Sequence, residues 1–151
     1  MKSSGRPTSA EAYAVSRRLH EASEASRRAF EAIASDHGLT AVQARFILRV
    51  FEPTAMKDLA EHLACDKSNI TGIATRLTER GLITTRRGPD RRVKLLELTA
   101  TGHRLRVGLS EQVANTSPAM TRLTKTERAS LVKLLDKLHD TRVSDDESAK
   151  N

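Results

Sequence analysis

The sequence predicts a mainly α-helical fold with a small β-hairpin, on two observations. Apolar side chains recur at helical spacing through most of the 151 residues, and pairs of the form Thr-x-x-Glu or Thr-x-x-Gln, typical of helix starts, precede several of these stretches. Between residues 82 and 98 the pattern changes to β-rich runs on either side of a Gly-Pro turn. The length suits one domain, or one domain with helices that join a partner chain.

The first predicted element is a long helix over residues 9–36. Thr8 and Glu11 form its capping-box pattern, and Gly38 can take the left-handed conformation that ends a helix. Small and apolar residues recur along the helix, but they form only a thin stripe. Because so thin a stripe cannot supply a core of its own, we expect this helix to pack against a partner chain.

Three short helices follow, each with one stripe that we expect to be buried. Thr40 and Gln43 form a second capping box. Pro53 ends the first of these helices, and Gly81 ends the third. The three stripes, in chain order, are Ala44, Ile47, Leu48 and Phe51; Met56, Leu59, Ala60 and Leu63; and Ile70, Ile73, Ala74 and Leu77.

A hairpin and further helices complete the chain. Residues 82–85 and 93–98 are β-rich, and the tip between them carries the basic run Arg86-Arg87-Gly88-Pro89-Asp90-Arg91-Arg92. Thr99 can cap the next helix, and Pro118 interrupts that helix or follows its end. The final helix starts at a third capping box, Thr124 with Glu127, and its stripe is Leu131, Leu134, Leu135 and Leu138.

The positive charge is concentrated in one segment. The formal net charge is +7, and residues 66–94 hold eight Lys or Arg against three Asp or Glu. About a fifth of the chain therefore carries a net +5. Such a run is either a solvated face or a surface for an anionic partner, nucleic acid before membrane.

Composition excludes several classes of protein. The single cysteine cannot form an intrachain disulfide or a multi-cysteine metal site. Three Phe, one Tyr and no Trp argue against a base-stacking RNA platform. No apolar stretch is long enough to span a membrane, and the N-terminus lacks the apolar core of a signal peptide. We therefore expect a cytoplasmic protein without a membrane partner.

Neither a metal site nor a cofactor is predicted. The lone Cys65 is interpreted as a small buried residue, with a redox role as the alternative. The five histidines show no H-x-x-x-H or H-E-x-x-H spacing, and they are His20, His37, His62, His103 and His139.

Two of the short helices have the layout of a helix-turn-helix. They cover residues of about 55–64 and 67–80, with Cys65 and Asp66 between them. The second helix places short polar residues opposite its apolar stripe, which lets it approach base edges; Asn can pair with adenine, and Arg with guanine. A solvated face behind an N-cap is the alternative. The candidate DNA contacts are Lys67, Ser68, Asn69, Thr71, Gly72, Thr75 and Arg76.

The basic hairpin immediately downstream favours the DNA interpretation. A hairpin is narrow enough to follow the DNA backbone, and an Arg at its tip can enter the minor groove. Asp90 is placed to orient Arg92, two residues away. A helix-turn-helix followed by a cationic hairpin is a winged helix, and its candidate wing contacts are Arg86, Arg87, Asp90, Arg91, Arg92 and Lys94.

The chain resembles the MarR (multiple antibiotic resistance regulator) family over roughly residues 9–140. Residues 90–102, DRRVKLLELTATG, fit that family's wing signature D-x-R-x-x-x-L-x-L-T-x-x-G. The upstream runs Leu59-Ala60, Ser68-Asn69-Ile70-Thr71 and Leu77-Thr78-Glu79-Arg80-Gly81-Leu82-Ile83 resemble its helix-turn-helix.

The resemblance implies a homodimeric, sequence-specific regulator of transcription rather than an enzyme. Its partners would be double-stranded DNA, with a pseudo-palindromic operator, and a second copy of itself. We expect a winged helix-turn-helix domain over residues 38–99. Residues 9–37 and 100–141 would be dimerisation helices, and residues 1–8 and 142–151 disordered tails.

The resemblance also implies a ligand-responsive repressor, released from DNA by a small aromatic or phenolic anion. Charge and expected position suggest Arg17, His20 and Arg45 as its binding residues. Three other classes remain as alternatives. A non-specific architectural DNA- or RNA-binding protein lacks support from the aromatic content, an enzyme lacks a catalytic constellation, and an interaction module that has lost DNA binding does not fit the intact basic wing.

Overall fold

The computed structural model describes residues 6–63, 67–89 and 92–139, and there the chain is mainly helical with a small sheet. The predicted fold class is confirmed. The elements in chain order are α1 (Ser9–Asp36), α2 (Ala41–Arg49), β1 (Thr54–Ala55), α3 (Met56–Leu63), α4 (Lys67–Glu79), β2 (Ile83–Arg87), β3 (Lys94–Leu98), α5 (Ala100–Thr116), α6 (Pro118–Arg122) and α7 (Lys125–His139).

Some predictions fall on residues that lie outside this description. They concern Cys65 and Asp66 in the turn between α3 and α4, Asp90 and Arg91 in the wing, and the chain ends at residues 1–5 and 140–151. The side chain of Lys67 is also outside the described set.

Two of the three predicted capping boxes form, and the third, at the start of α1, shows in the described residues only the bond from the Glu11 N–H to Thr8 Oγ1. Thr40 Oγ1 accepts from the Gln43 backbone N–H at 3.3 Å, and Gln43 Oε1 accepts from the Thr40 N–H at 3.0 Å. Thr124 and Glu127 repeat this exchange at the start of α7. These bonds satisfy backbone N–H groups that have no partner inside the helix. Because the Glu127 carboxylate accepts from the Thr124 N–H and hydroxyl, the pKa of Glu127 lies below its usual value.

The N-terminal half of α1 lies outside the core. Its residues 9–23 are all exposed, and the buried residues of this helix are Ile33 and Ala34 near its C-terminal end. Arginines and glutamates one turn apart pair along the exposed part, among them Arg17 with Glu21 at 2.7 Å. The thin apolar stripe therefore buries only the end of α1 within its own chain, and the packing of this helix against a partner chain stays a prediction.

The core lies between α2, α3, α4, the sheet and the middle of α5. Each of these elements contributes apolar side chains that are almost fully buried. They include Phe46 and Ile47 from α2, Leu59 from α3, Ile70 and Leu77 from α4, Ile83 and Leu96 from the sheet, and Leu109 from α5.

The placement of Phe51 on the buried stripe of α2 was wrong. The helix ends at Arg49, and Val50 leaves the helical conformation with φ −84° and ψ 84°. Val50 is 1% exposed and takes the buried position, whereas Phe51 is 71% exposed. The helix therefore ends before the turn that would have carried Phe51 inward.

The sheet has three strands where the sequence predicted two. Its order is β1–β3–β2, all antiparallel, with Thr54 opposite Leu96 and Ile83 opposite Leu98. Strand β2 also runs further than predicted. Arg86 and Arg87 lie on it, opposite Leu95 and Lys94, rather than in the turn. The arginines are therefore held by the ladder, which gives the wing a fixed basic edge.

The closing helices number three within residues 100–139. Ser117 ends α5, and Pro118 opens α6 at its first position, where the missing N–H costs nothing. Pro118 thus follows the end of α5, and the short α6 was not predicted as a separate element. In the described part of the chain, no helix is long and apolar enough to cross a membrane.

Candidate nucleic-acid interface

Helix α4 separates an apolar face from a polar one as predicted. Its stripe of Ile70, Ile73, Ala74 and Leu77 is no more than 7% exposed. The opposite side is exposed, and it consists of Ser68, Asn69, Thr71, Gly72, Thr75 and Arg76. The face that the sequence assigned to DNA is therefore open to solvent and backed by the core.

Two threonines on that face are held by local hydrogen bonds. Thr75 Oγ1 donates to the Thr71 carbonyl oxygen at 3.0 Å, and Thr71 Oγ1 donates to Met56 Sδ at 3.4 Å. The second bond ties α4 to α3, the other helix of the helix-turn-helix. Both hydroxyls therefore use their donor within the protein.

Asn69 and Arg76 are two exposed side chains of α4 whose hydrogen-bonding groups are unused among the described residues. In the described residues neither side chain takes part in a hydrogen bond or ion pair. Asn offers a donor and an acceptor side by side, and Arg offers five donors. Bidentate pairing with a base edge uses groups of this kind.

The hairpin beyond β2 presents an exposed cluster of cations. Arg87 and Lys94 face each other at the outer end of the ladder, where the Gly88 N–H donates to the Val93 carbonyl oxygen at 2.9 Å. Arg92 is exposed next to them. Arg86, one residue inward from Arg87, lies 3.9 Å from the Glu97 carboxylate, so its charge is partly neutralised. The basic edge therefore strengthens towards the tip.

Thr99 joins the end of α4, the start of β2 and the start of α5. Its Oγ1 donates to the Gly81 carbonyl oxygen at 2.7 Å and accepts from the Gly102 N–H at 3.1 Å, which caps α5. The Thr99 N–H donates to the Leu82 carbonyl oxygen at 3.1 Å. Gly81, at φ 66°, provides the turn that brings those carbonyls into place.

Gly102 lets α5 pass directly over the Leu82 carbonyl. A Cβ built on residue 102 would overlap the Leu82 oxygen and press on its carbonyl carbon and on Leu98. The backbone atoms cannot move aside without breaking the bonds to Thr99. The Leu-Thr-x-x-Gly end of the wing signature is thus explained by one capping hydroxyl and one close backbone approach.

The three residues predicted to bind an effector lie on the exposed surfaces of two helices, α1 and α2. Arg17 is paired with Glu21 on the exposed half of α1, and His20 is exposed beside it. Arg45 is exposed on α2 and forms no hydrogen bond or ion pair in the described residues. Their role in ligand binding stays a prediction.

A cavity of about 340 Å³ lies elsewhere, at the C-terminal end of α2. Sequence reasoning missed it, because it depends on where α2 ends. The Arg106 guanidinium of α5 lies 4.9 Å from the centroid of the exposed Phe51 ring beside this cavity. The lining residues are Arg49, Phe51, Glu52, Thr54, Asp58 and Leu59. Among the described residues, no three His, Cys, Asp or Glu are grouped as a metal ion would need.

Comparison with known proteins identifies the family. The MarR family model matches residues 40–94, from the cap of α2 to the start of β3. Bordetella bronchiseptica BpsR, whose DNA binding is regulated by 6-hydroxynicotinic acid, is 30% identical over 83% of this chain and 93% of its own, with a TM-score of 0.65. This chain belongs to the MarR family. No curated protein sequence matches it.

Two structures of the E. coli family member extend the comparison. MarR from E. coli in its apo form is 25% identical over 82% of this chain and 94% of that chain, with a TM-score of 0.66. A mutant of the same protein complexed with operator DNA is also 25% identical, over 82% and 92%, with a TM-score of 0.67. The chain is therefore a winged-helix, DNA-binding transcriptional regulator, in a family of regulators rather than enzymes.

We predict opposite effects of alanine at two glycines on stability. Gly102→Ala should lower the free energy of unfolding by about 1–3 kcal/mol or more, because the new methyl group overlaps fixed backbone. Gly72→Ala, with nothing within 4 Å of the added Cβ, should raise it by about 0.5–1 kcal/mol through helix propensity. Urea unfolding followed by circular dichroism measures both. Equal stability of the two variants would contradict the close approach at Gly102.

Proposed function

We propose that this protein is a cytoplasmic, homodimeric repressor that binds a pseudo-palindromic operator in double-stranded DNA. It dissociates from the operator when a small aromatic acid binds to the protein. The observation that carries the proposal is the exposed face of α4, where Asn69 and Arg76 have no partner among the described residues. The wing that follows α4 adds an exposed basic edge. The family relationship to a regulator solved with operator DNA supports the same interpretation.

The proposed contacts divide between the helix and the wing. Ser68, Asn69 and Arg76 would reach base edges in the major groove, with Lys67, Thr71, Gly72 and Thr75 allowing or bracing the approach. Arg92 would enter the minor groove, and its orientation by Asp90 is part of the proposal. Phosphates would be contacted by Arg86, Arg87, Arg91 and Lys94.

Exposed apolar side chains on the terminal helices support the dimer. On α1, Tyr13 is 70% and Val15 61% exposed; on α7, Leu134 is 59% and Leu138 65% exposed. Clustered exposure of large apolar side chains is typical of surfaces that a partner covers. We propose that α1 and α7 of two copies pack together and hold two α4 helices about one DNA turn apart.

Selection from random duplex DNA, followed by gel shifts, tests the proposal as a whole. Repressor function requires a recovered sequence with two related half-sites, bound far more tightly than unrelated duplex at the same salt concentration. A non-specific architectural protein, the alternative, would bind both duplexes alike with a steep salt dependence.

We predict that two wing substitutions act differently on operator binding. Arg92→Ala should weaken it by about 1–3 kcal/mol, because a groove contact is lost. Lys94→Ala should mainly reduce the slope of log affinity against log salt, by about 0.9, because one phosphate contact and its released counterion are lost. Fluorescence anisotropy titrations across a salt series measure both quantities. Arg92→Ala binding like the parent would contradict the wing assignment.

The dimer proposal predicts that charge on the apolar face of α7 separates the subunits. Leu134→Glu combined with Leu138→Glu should shift the protein towards monomer, because paired chains would bury carboxylates without partners. Sedimentation velocity measures the change. Lys133→Glu makes the same change in net charge but lies about 100° round the helix from Leu134; it is the matched control and should leave the mass unchanged. A parent protein that sediments as a monomer would contradict the proposal.

The effector proposal predicts binding of an aromatic carboxylate. Isothermal titration with 6-hydroxynicotinic acid or salicylate should give measurable heat, and the same ligand should release labelled operator. Arg45→Ala should weaken the binding, because it removes a cation from the predicted site. No heat together with unchanged operator binding would count against an effector of this class.

A further inference from the structure

The last turn of α4 makes a contact with a distant part of the chain. Arg80, directly after the helix, donates from Nη1 to the Gly38 carbonyl oxygen at 2.9 Å, across 42 residues of sequence. Gly38, at φ 65°, forms the corner between α1 and α2. A Cβ at Gly38 would lie 3.8 Å from Arg80 Nη2, so the guanidinium packs directly on the corner. The bond is charge-assisted, which makes it stronger than a neutral one.

The same corner is fastened to α5 from the other side. Gln112 Nε2 donates to Asp36 Oδ2 at 2.7 Å, and Gln112 Oε1 lies 2.9 Å from His37 Nε2. Asp36 and His37 end α1, so α1 and α5 meet at this point. These are two of the helices assigned to the proposed dimerisation domain. Arg80 is thus a side-chain link from the end of α4 to the helices that are proposed to hold the two subunits together.

Arg80 stands far from the end of α4 that would read bases. At 1.5 Å per residue, it lies roughly 18 Å along the helix axis from Ser68. Its bond to Gly38 turns the guanidinium towards the protein's own backbone. These features favour a role in the orientation of α4 over a direct contact to a base.

We infer that Arg80 is a positioning residue: by fixing α4 to the α1–α2 corner, it sets the half-site spacing that the dimer accepts. The inference rests on the proposed dimeric operator recognition. One added base pair moves a half-site by about 3.4 Å and turns it by about 35°. With the Arg80–Gly38 bond intact, α4 can follow the displaced half-site only at a cost in binding free energy. Without the bond, α4 can reorient towards the displaced half-site at a lower cost.

The test compares three operators that share the same selected half-sites. One has the selected spacing between the half-sites, one has a base pair inserted between them, and one has a base pair removed. The measured quantity is the ratio of affinities, selected spacing over altered spacing, together with the salt slope. The variants are Arg80→Met, which keeps the stem and removes the donor and charge, and Arg80→Lys, which restores a cationic donor. Arg76→Met, one turn earlier on α4, is the contrasting variant. Thermal melting of each variant checks that it folds.

Arg80→Met should reduce the spacing ratio by about two- to tenfold, the range expected for loss of one such hydrogen bond. Its salt slope should stay at the parent value, and Arg80→Lys should recover part of the ratio. Arg76→Met should weaken binding at every spacing, because a proposed base contact is lost, and should leave the spacing ratio unchanged.

An unchanged ratio in folded Arg80→Met overturns the inference, and so does a salt slope lowered by about 0.9, which would make Arg80 a phosphate contact. A parent protein that binds all spacings equally contradicts the proposed dimeric recognition itself. The two failures are therefore distinguishable.

Discussion

Helix α4, the wing and helix α5 meet at the hydrogen bonds of Thr99. One hydroxyl accepts the N-cap bond of α5 and donates to the carbonyl that ends the turn after α4. The Thr99 N–H donates to the next carbonyl oxygen, that of Leu82. Since β2 starts at Ile83 and β3 ends at Leu98, both wing strands are anchored within one residue of this point. The orientation of the wing relative to α4 therefore depends on it.

This junction explains why so small a sheet can hold a defined position. A two-stranded hairpin is marginal in water. Here the central strand β3 gains a second partner in β1, and its Leu96 and Leu98 are buried against the core. Burial fixes the inner end of the hairpin, and the exposed outer end carries the cations. The basic side chains therefore lie on a sheet that is stabilised by the buried apolar residues and not by the basic side chains themselves.

Local signals predicted the helices well, because each is defined by residues within a few positions. The Thr40–Gln43 and Thr124–Glu127 boxes and the α4 stripe are examples, and their partners are three or four residues apart. Features defined by distant partners were not predicted. Strand β1 is two residues long and exists because Thr54 meets Leu96. Phe51 is exposed because the tertiary fold buries Val50 instead.

The candidate site shows the same division. The polar face of α4 was visible from helical spacing alone, because its apolar face had to be buried. The cap that Thr99 forms for α5 was predicted, but its bond to the Gly81 carbonyl and the tasks of Gly102 and Arg80 were not, since each depends on a carbonyl that is remote in sequence. The wing signature drew attention to two of these residues, but only the packing of α5 over Leu82 gives their physical reason.

How much of the positive charge is available to an anionic partner depends on which cations are paired with carboxylates. On α1, arginines lie one turn from glutamates; Arg27 contacts both Glu24 and Glu31 and lowers the pKa of Glu24. Those charges largely cancel locally. In the described residues, Arg76, Arg87 and Lys94 have no carboxylate partner. A cation without a carboxylate partner can meet a phosphate without first breaking an ion pair, and the DNA counterions it displaces favour binding. Both regions are rich in arginine, but these three cations have no carboxylate partner in the described residues, and they belong to the region that the core and Thr99 hold in a fixed orientation.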